Sequence, residues 1–386
     1  MKRTIHATLP ARALALLALA LAALSSCSAA GFPAPTSSPK YIFLFIGDGM
    51  GKNHVAAAEL YAASPEAAAR EIGPLRFPAF PVRGEITTHN QYFKVTDSAA
   101  AATALASGRK TANGILNMNG SATQRYAIIT DLAKARGRRV GIVTSVSLDH
   151  ATPAGFYAFS GERGDYYSIA VQLAARQFDY FGGGGLLSPR GSDGKQPDAF
   201  ALAAANGFTV ARTKAEFDAL NPGAGRAIAV GEHLDAKMAL PYAADRADGD
   251  PTLADFVDKG IELLDGEGGF FMMAEGGRID WASHANDIFR ALPEVADLDR
   301  AVAVAIAFQS ARPDETLIVV TSDHETGGLS IAEGVGFDWT RLSWSTGGHT
   351  GSKVAVFASG VGQELFAGSY DNTGIFERLK ALIEAE

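Results

Sequence analysis

The stretch Tyr41-Ile-Phe-Leu-Phe-Ile-Gly-Asp-Gly-Met-Gly51 decides the fold. Six apolar residues in a row, mostly β-branched or aromatic, predict a strand buried on both faces, and the glycines after them predict a strand-to-helix turn. Open α/β sheets place their chemistry in such turns, at the carboxyl ends of strands. The turn carries a carboxylate, Asp48. The spacing lacks the G-x-G-x-x-G of a dinucleotide site, so Asp48 is expected as a metal ligand; a solvated turn aspartate is the competing reading.

Working outward, the chain of 386 residues with 47% hydrophobic content can bury one large core. Its first residues stand apart from that core. Met1-Lys-Arg is positive, Ala13 to Leu24 is an apolar run too short for a membrane span, and small residues follow, as in an export signal. The chain's one cysteine, Cys27, follows Leu24-Ser25-Ser26. That order resembles the bacterial lipobox, which implies lipidation at Cys27 and a protein anchored in the periplasm or on the outer surface. Cleavage after Ser28-Ala29-Ala30 is the alternative. Residues 1–27 are thus expected to be the signal, 28–40 a Pro- and Ser-rich tether, and 41–386 a single catalytic domain. The signal holds Lys2, Arg3 and Arg12 and no acid, so its removal takes the net charge from −8 to −11. Such a balance speaks against a nucleic-acid partner, which asks for a basic patch.

Val55 to Arg70 is Ala-rich and expected to be helical, and Gly84 to Thr88 a short strand. In Val95-Thr-Asp-Ser-Ala-Ala-Ala-Ala-Thr103 the alanines predict a helix, with Asp97 and Ser98 at its cap and first turn. Capping explains both residues without any chemistry. The functional alternative makes Ser98 a nucleophile at a helix end whose free N–H groups suit phosphate, with a metal ion as activator because no histidine is near in sequence. Arg139 to Ser147 predicts another buried strand, leaving His150 and Thr152 just past its end in the layer of Asp48. Arg163 follows in an irregular segment, and a guanidinium is well shaped for phosphate. Gly269 to Ala274 is a third strand with Glu275 at its exit, followed by Asp280 and His284, which share a face if helical. Thr316 to Ser322 ends in Asp323 and His324, and a glycine turn presents His349 before a strand over Lys353 to Ala358. Residues 186–251 carry only weak periodicity.

Taken together, Gly47-Asp-Gly-Met-Gly51, Thr96-Asp-Ser-Ala99 with Thr103 and Gly108, His150-Ala-Thr-Pro153, Glu275-Gly-Gly-Arg-Ile-Asp280 with His284, Thr321-Ser-Asp-His-Glu-Thr326 and Gly347-Gly-His349 resemble the alkaline phosphatase family. The resemblance implies a three-layer α/β/α sandwich around a large, mostly parallel sheet. It implies one zinc on Asp280, His284 and His349, a second on Asp48, Asp323 and His324, and a magnesium-type ion on Asp48, Thr152 and Glu275. Ser98 would form a phosphoseryl intermediate, with Arg163 holding phosphate and Asp97 orienting that arginine. Phosphate monoesters would be the substrates, inorganic phosphate the product, and a homodimer the assembly. Two zincs about 4 Å apart can stabilise the attacking and leaving oxygens together. Four acids set against three divalent ions and Arg163 leave about +3 for a dianionic phosphate. Two residues depart from the family's bacterial pattern: His150 stands where many relatives carry an acid, and Trp281 where they often carry Lys, and both are expected to tune the ligand surroundings. The segment 325–348 is a short insertion where relatives often build a lobe. A diesterase or sulfatase of the same metal superfamily, and a phosphate-binding protein without catalysis, are the other readings.

Overall fold

The computed structural model describes residues 31–35, 37–69 and 72–385, so the expected export signal and Cys27 lie outside the described residues. Strand β1 (Tyr41–Gly47) is buried along its whole length. Tyr41, Phe43 and Phe45 enter one apolar layer, and Ile42, Leu44 and Ile46 the other. Each such side chain contributes about 1.5–3 kcal/mol on burial, so β1 cannot be exposed on either face without large cost.

Around it lie β2 (Val82–Thr87), β3 (Arg139–Thr144), β4 (Tyr180–Gly183), β5 (Phe208–Ala211), β6 (Arg226–Val230), β7 (Phe270–Gly276), β8 (Thr316–Thr321), β13 (Val354–Gly360) and β14 (Gly368–Asp371), with four two-residue strands, β9 (Glu325–Thr326), β10 (Ser330–Ile331), β11 (Leu342–Ser343) and β12 (His349–Thr350), between β8 and β13. Among the described residues the main sheet has ten strands in the order β14-β2-β13-β8-β1-β7-β3-β4-β6-β5. Within it only β13 runs antiparallel to its neighbours. The helices Lys52–Ala62, Leu253–Leu264 and Ile288–Ala311 cover one face, and Ser98–Ser107, Ile129–Ala135, Tyr166–Ala175 and Thr373–Glu384 the other. This is the expected α/β/α sandwich.

Three local expectations shift. The helix expected over Val55 to Arg70 runs from Lys52 to Ala62 and resumes at Pro65–Ala69, because Pro65 has no N–H to continue the ladder. The expected tether is not free over its described part: Phe32 is buried under the Arg378 guanidinium, and Arg138 donates to the carbonyls of Pro39 and Lys40 and to Ser38 Oγ. The weakly periodic 186–251 contains β5 and β6, which extend the sheet beyond β4. The insertion forms the small ribbon β10–β11, and its first strand β9 pairs with β12 just beyond it, which sets His349 opposite Thr326. No helix of the described residues is long and apolar enough to cross a membrane.

Candidate metal centre and nucleophile

The central strands β8, β1, β7 and β3 end side by side. Ile46 pairs with Glu275 on one side and Thr321 on the other, and Glu275 pairs with Thr144. The residues that follow these strand ends therefore converge. Asp48, Asp323 and His324 are wholly buried, as is Glu275. The turn after β1 puts Gly49 at φ +73°, and its N–H donates to Asp323 Oδ1 at 3.1 Å. A Cβ there would stand 2.8 Å from Thr326 Oγ1 and 2.9 Å from Asp280 Oδ1, so only glycine lets β1's turn approach those residues.

Three groups of ligand-type atoms lie within 4.8 Å of one another: Asp48, Asp323 and His324; Asp280, His324 and His349; and Asp48, His150 and Glu275. His324 Nε2 is 3.4 Å from Asp48 Oδ1, 3.2 Å from Asp323 Oδ2 and 3.3 Å from Ser98 Oγ. Asp280 and His284 do share a helix face, on the helix Arg278–His284. His284 Nε2 is 3.4 Å from Asp280 Oδ2 and 3.0 Å from His349 Nε2, while its Nδ1 faces the Gly347 carbonyl at 2.7 Å. His349 Nδ1 faces the Thr96 carbonyl at 2.8 Å, which aims Nε2 inward. Thr152 Oγ1 donates to Asp48 Oδ2 at 3.4 Å, and Thr144 donates to Glu275 Oε2.

The electrostatics of this cluster ask for cations. Burial, and then Asp323, Asp280 and Glu275, hold the Asp48 carboxyl well above its usual range. Burial pushes Glu275 up to about 8 and raises Asp323. The same desolvation drives His324 and His150 well down, so both imidazoles are neutral, the form that ligates metals. Asp48 Oδ1, Asp323 Oδ2, Glu275 Oε1 and His150 Nδ1 are buried with no hydrogen-bond partner. Orphaned acceptors facing one another at this density are costly unless a cation answers them, so the donor set fits divalent ions of the zinc and magnesium type.

Ser98 opens the helix Ser98–Ser107. Asp97 is its cap and more: Oδ1 accepts from Ala100 N at 2.9 Å, while Oδ2 accepts from Gly114 N at 2.9 Å and from Arg163 at 3.1 Å. Capping and function are therefore the same side chain. Asp97 also cancels the charge of Arg163, so the pocket's net charge is one lower than counting the ligating acids and Arg163 alone suggests. A second Arg163 nitrogen lies 3.2 Å from His150 Nε2.

The structure places each sequence-predicted site residue within the described part in this cluster or in contact with one of its members, Asp97 by way of Arg163. His150 does more than tune from outside, because its ring stands with Asp48 and Glu275 as a third ligand-type group. Trp281 packs edge-on against His150, with ring centroids 6.0 Å apart. Sequence reasoning missed the role of Thr326, which donates to Asp280 Oδ1 at 2.5 Å and sits 3.2 Å from His324 Nδ1, linking two members of the Asp280, His324 and His349 group. Its position two residues after His324 was the available signal.

The model of the family described as alkaline phosphatase matches residues 39–181 and 227–338. Alkaline phosphatase 3 of Bacillus subtilis (strain 168) is 28% identical over 425 residues, spanning 89% of this chain and 89% of that protein. Streptomycin-6-phosphate phosphatase of Streptomyces griseus is 30% identical, with 99% of each chain covered. The alkaline phosphatase from the Antarctic bacterium TAB5 is similar at a TM-score of 0.78 and 32% identity, over 91% of this chain and 99% of that one. Two TAB5 variants with a histidine replaced by Asp or Glu have Mg bound in the M3 site. Matched over two stretches that carry every residue of the cluster except His349, this chain belongs to the alkaline phosphatase family.

Proposed function

We propose that the chain hydrolyses phosphate monoesters through a phosphoseryl intermediate on Ser98, with two zinc ions and a third, magnesium-type ion. The observation that carries this reading is Ser98 Oγ standing 3.3 Å from His324 Nε2, at the edge of a buried set of unsatisfied carboxylates. Asp280, His284 and His349 would hold one zinc, Asp48, Asp323 and His324 the other, and Asp48, Thr152 and Glu275 the third ion with His150 in reach. When bound, these ions supply the positive potential that lowers the proton affinity of a hydroxyl and stabilises a leaving oxygen.

The chain's own residues do the rest. Arg163, held by Asp97, offers a planar fork to two non-bridging phosphate oxygens. Ser98 Oγ bonds to phosphorus as the ester P–O bond breaks and the alcohol leaves. The positive end of the helix behind Ser98 favours the anion throughout. Water then attacks the phosphoserine, freeing inorganic phosphate and returning the hydroxyl. Arg163 together with the third-ion site would meet all three free oxygens of a monoester, one of which a diester replaces with an ester oxygen; this favours monoesters, and a relative named for streptomycin-6-phosphate supports that preference. The TAB5 variants support a deciding role for a histidine in third-site magnesium binding, since imidazole suits zinc and carboxylate suits magnesium.

The test compares phosphate release from a mono- and a diester of the same nitrophenol, after chelation and with zinc and magnesium returned separately. Monoester hydrolysis that needs zinc is expected; full activity after thorough chelation would overturn the scheme. Export, lipid anchoring at Cys27 and a homodimer complete the proposal, the last read by sedimentation equilibrium.

A further inference from the structure

After β6 the chain runs from residue 231 to 252 as a strap along the carboxyl edge of the sheet, where the cluster lies. Leu240 N donates to Ser145 O at 2.9 Å just past β3, and Gly185 N donates to Met238 O at 2.8 Å. The strap's turn is built around Asp235, whose Oδ1 accepts from the N–H groups of Lys237 and Ala239 at 2.8 and 3.0 Å. Its Oδ2 takes Arg278 at 2.6 Å, and Met238 is held at φ +57°. Further on, Arg246 forks onto buried Asp297 at 3.0 and 2.9 Å. The turn is thus fixed at both ends, which is unusual support for an exposed lysine.

What this support presents is the Lys237 ammonium, 4.7 Å above the Trp281 ring. Trp281 rests against His150, and His150 against Arg163. The other cations in this row are answered: Arg163 by Asp97 and Arg278 by Asp235. Among the described residues no carboxylate lies within ion-pair distance of Lys237 Nζ. In a protein of net charge −8, an unanswered cation beside the row Trp281, His150 and Arg163 would attract a dianion approaching Arg163.

We propose that Lys237 is a binding residue for the phosphate dianion, meeting the phosphoryl group of substrate and product from the Trp281 side of the pocket. The proposal rests on the phosphomonoesterase reading. An ammonium that contacts ester and product alike stabilises ground and transition states together, so it acts on KM and on product inhibition rather than on the chemical step.

Lys237→Ala is therefore expected to raise both KM for a nitrophenyl monoester and the inhibition constant for inorganic phosphate about three- to tenfold, with kcat unchanged or higher. The salt dependence of kcat/KM should flatten, and Lys237→Arg should restore most of the affinity. Phosphate titration should also change tryptophan fluorescence, through Trp281, in the wild type and not in Lys237→Ala. An unchanged inhibition constant and salt slope in Lys237→Ala, in a wild-type background that does hydrolyse the ester, overturns the role of Lys237 alone. Wild-type protein that binds phosphate through Lys237 without hydrolysing the ester would instead sustain this site and overturn the phosphatase reading.

Discussion

At the scale of single residues, the closest tolerance is at Gly49. Its left-handed backbone and the absent Cβ let Asp280, Thr326 and Asp323 close over the turn that carries Asp48. Gly49→Ala should cost about 1–2 kcal/mol in backbone strain alone, before any displacement of Asp280. The expected result is a folded protein with a lowered melting temperature and less bound zinc by metal analysis; full zinc content would show that the close approach is dispensable. Ser98 makes the opposite case, since nothing in the packing needs its hydroxyl. Ser98→Ala should keep the fold and metal content, lose at least about a thousandfold in kcat, and fail to incorporate labelled phosphate. At His150, replacement by Asp should turn the third group into an all-oxygen set and make activity respond to magnesium, read as a shift in the metal titration.

Elements carry the next level of argument. The helix Ser98–Ser107 is started by the same carboxylate that holds Arg163, so Asp97→Ala should cost about 1 kcal/mol of helix stability as well as phosphate affinity. Asp97→Asn can still cap but carries no charge for the arginine, so it should recover the melting temperature and leave phosphate binding weak. The long helix Ile288–Ala311 anchors the strap through Glu294, which accepts from Ala243 N at 2.6 Å and is pushed up to about 7 by burial and then by Asp297. An acid whose folded pKa lies above its unfolded value, here 4.5, lends stability that is complete below that value and is lost as pH rises through the folded pKa. Between about pH 4.5 and 7 the wild type should therefore lose stability relative to Glu294→Gln. Thermal denaturation of both proteins across that window checks it, and parallel curves would count against the assignment.

For the whole molecule, the sheet gathers four buried acids into one cluster, and their mutual repulsion opposes the folded state until ions answer it. Chelation should both abolish activity and lower the melting temperature, and each ion returned at a thousandfold excess over its Kd should restore about 4 kcal/mol. Calorimetry with zinc and magnesium added in turn measures this; a melting temperature indifferent to metal would contradict the cavity's electrostatics.

Local chemistry was legible without coordinates. The apolar run before Asp48, the cap at Asp97 and the i,i+4 spacing of Asp280 and His284 each act within a few residues, where periodicity and hydrogen-bond demand settle the outcome. So were the residue types of the cluster, because acids and histidines directly after buried strands have few structural uses. Four things were decided only in three dimensions: the placing of β7 between β1 and β3, the ribbon that returns His349 to Thr326, the entry of His150 into the third group, and the delivery of Lys237 onto Trp281. The strands β5 and β6, of four and five residues, were invisible for a related reason. Short strands at a sheet's margin have too little pattern of their own and are stabilised by neighbours far away in the chain. A sequence states what each segment prefers; which segments meet depends on the closure of long loops and the total surface buried when all of them pack at once.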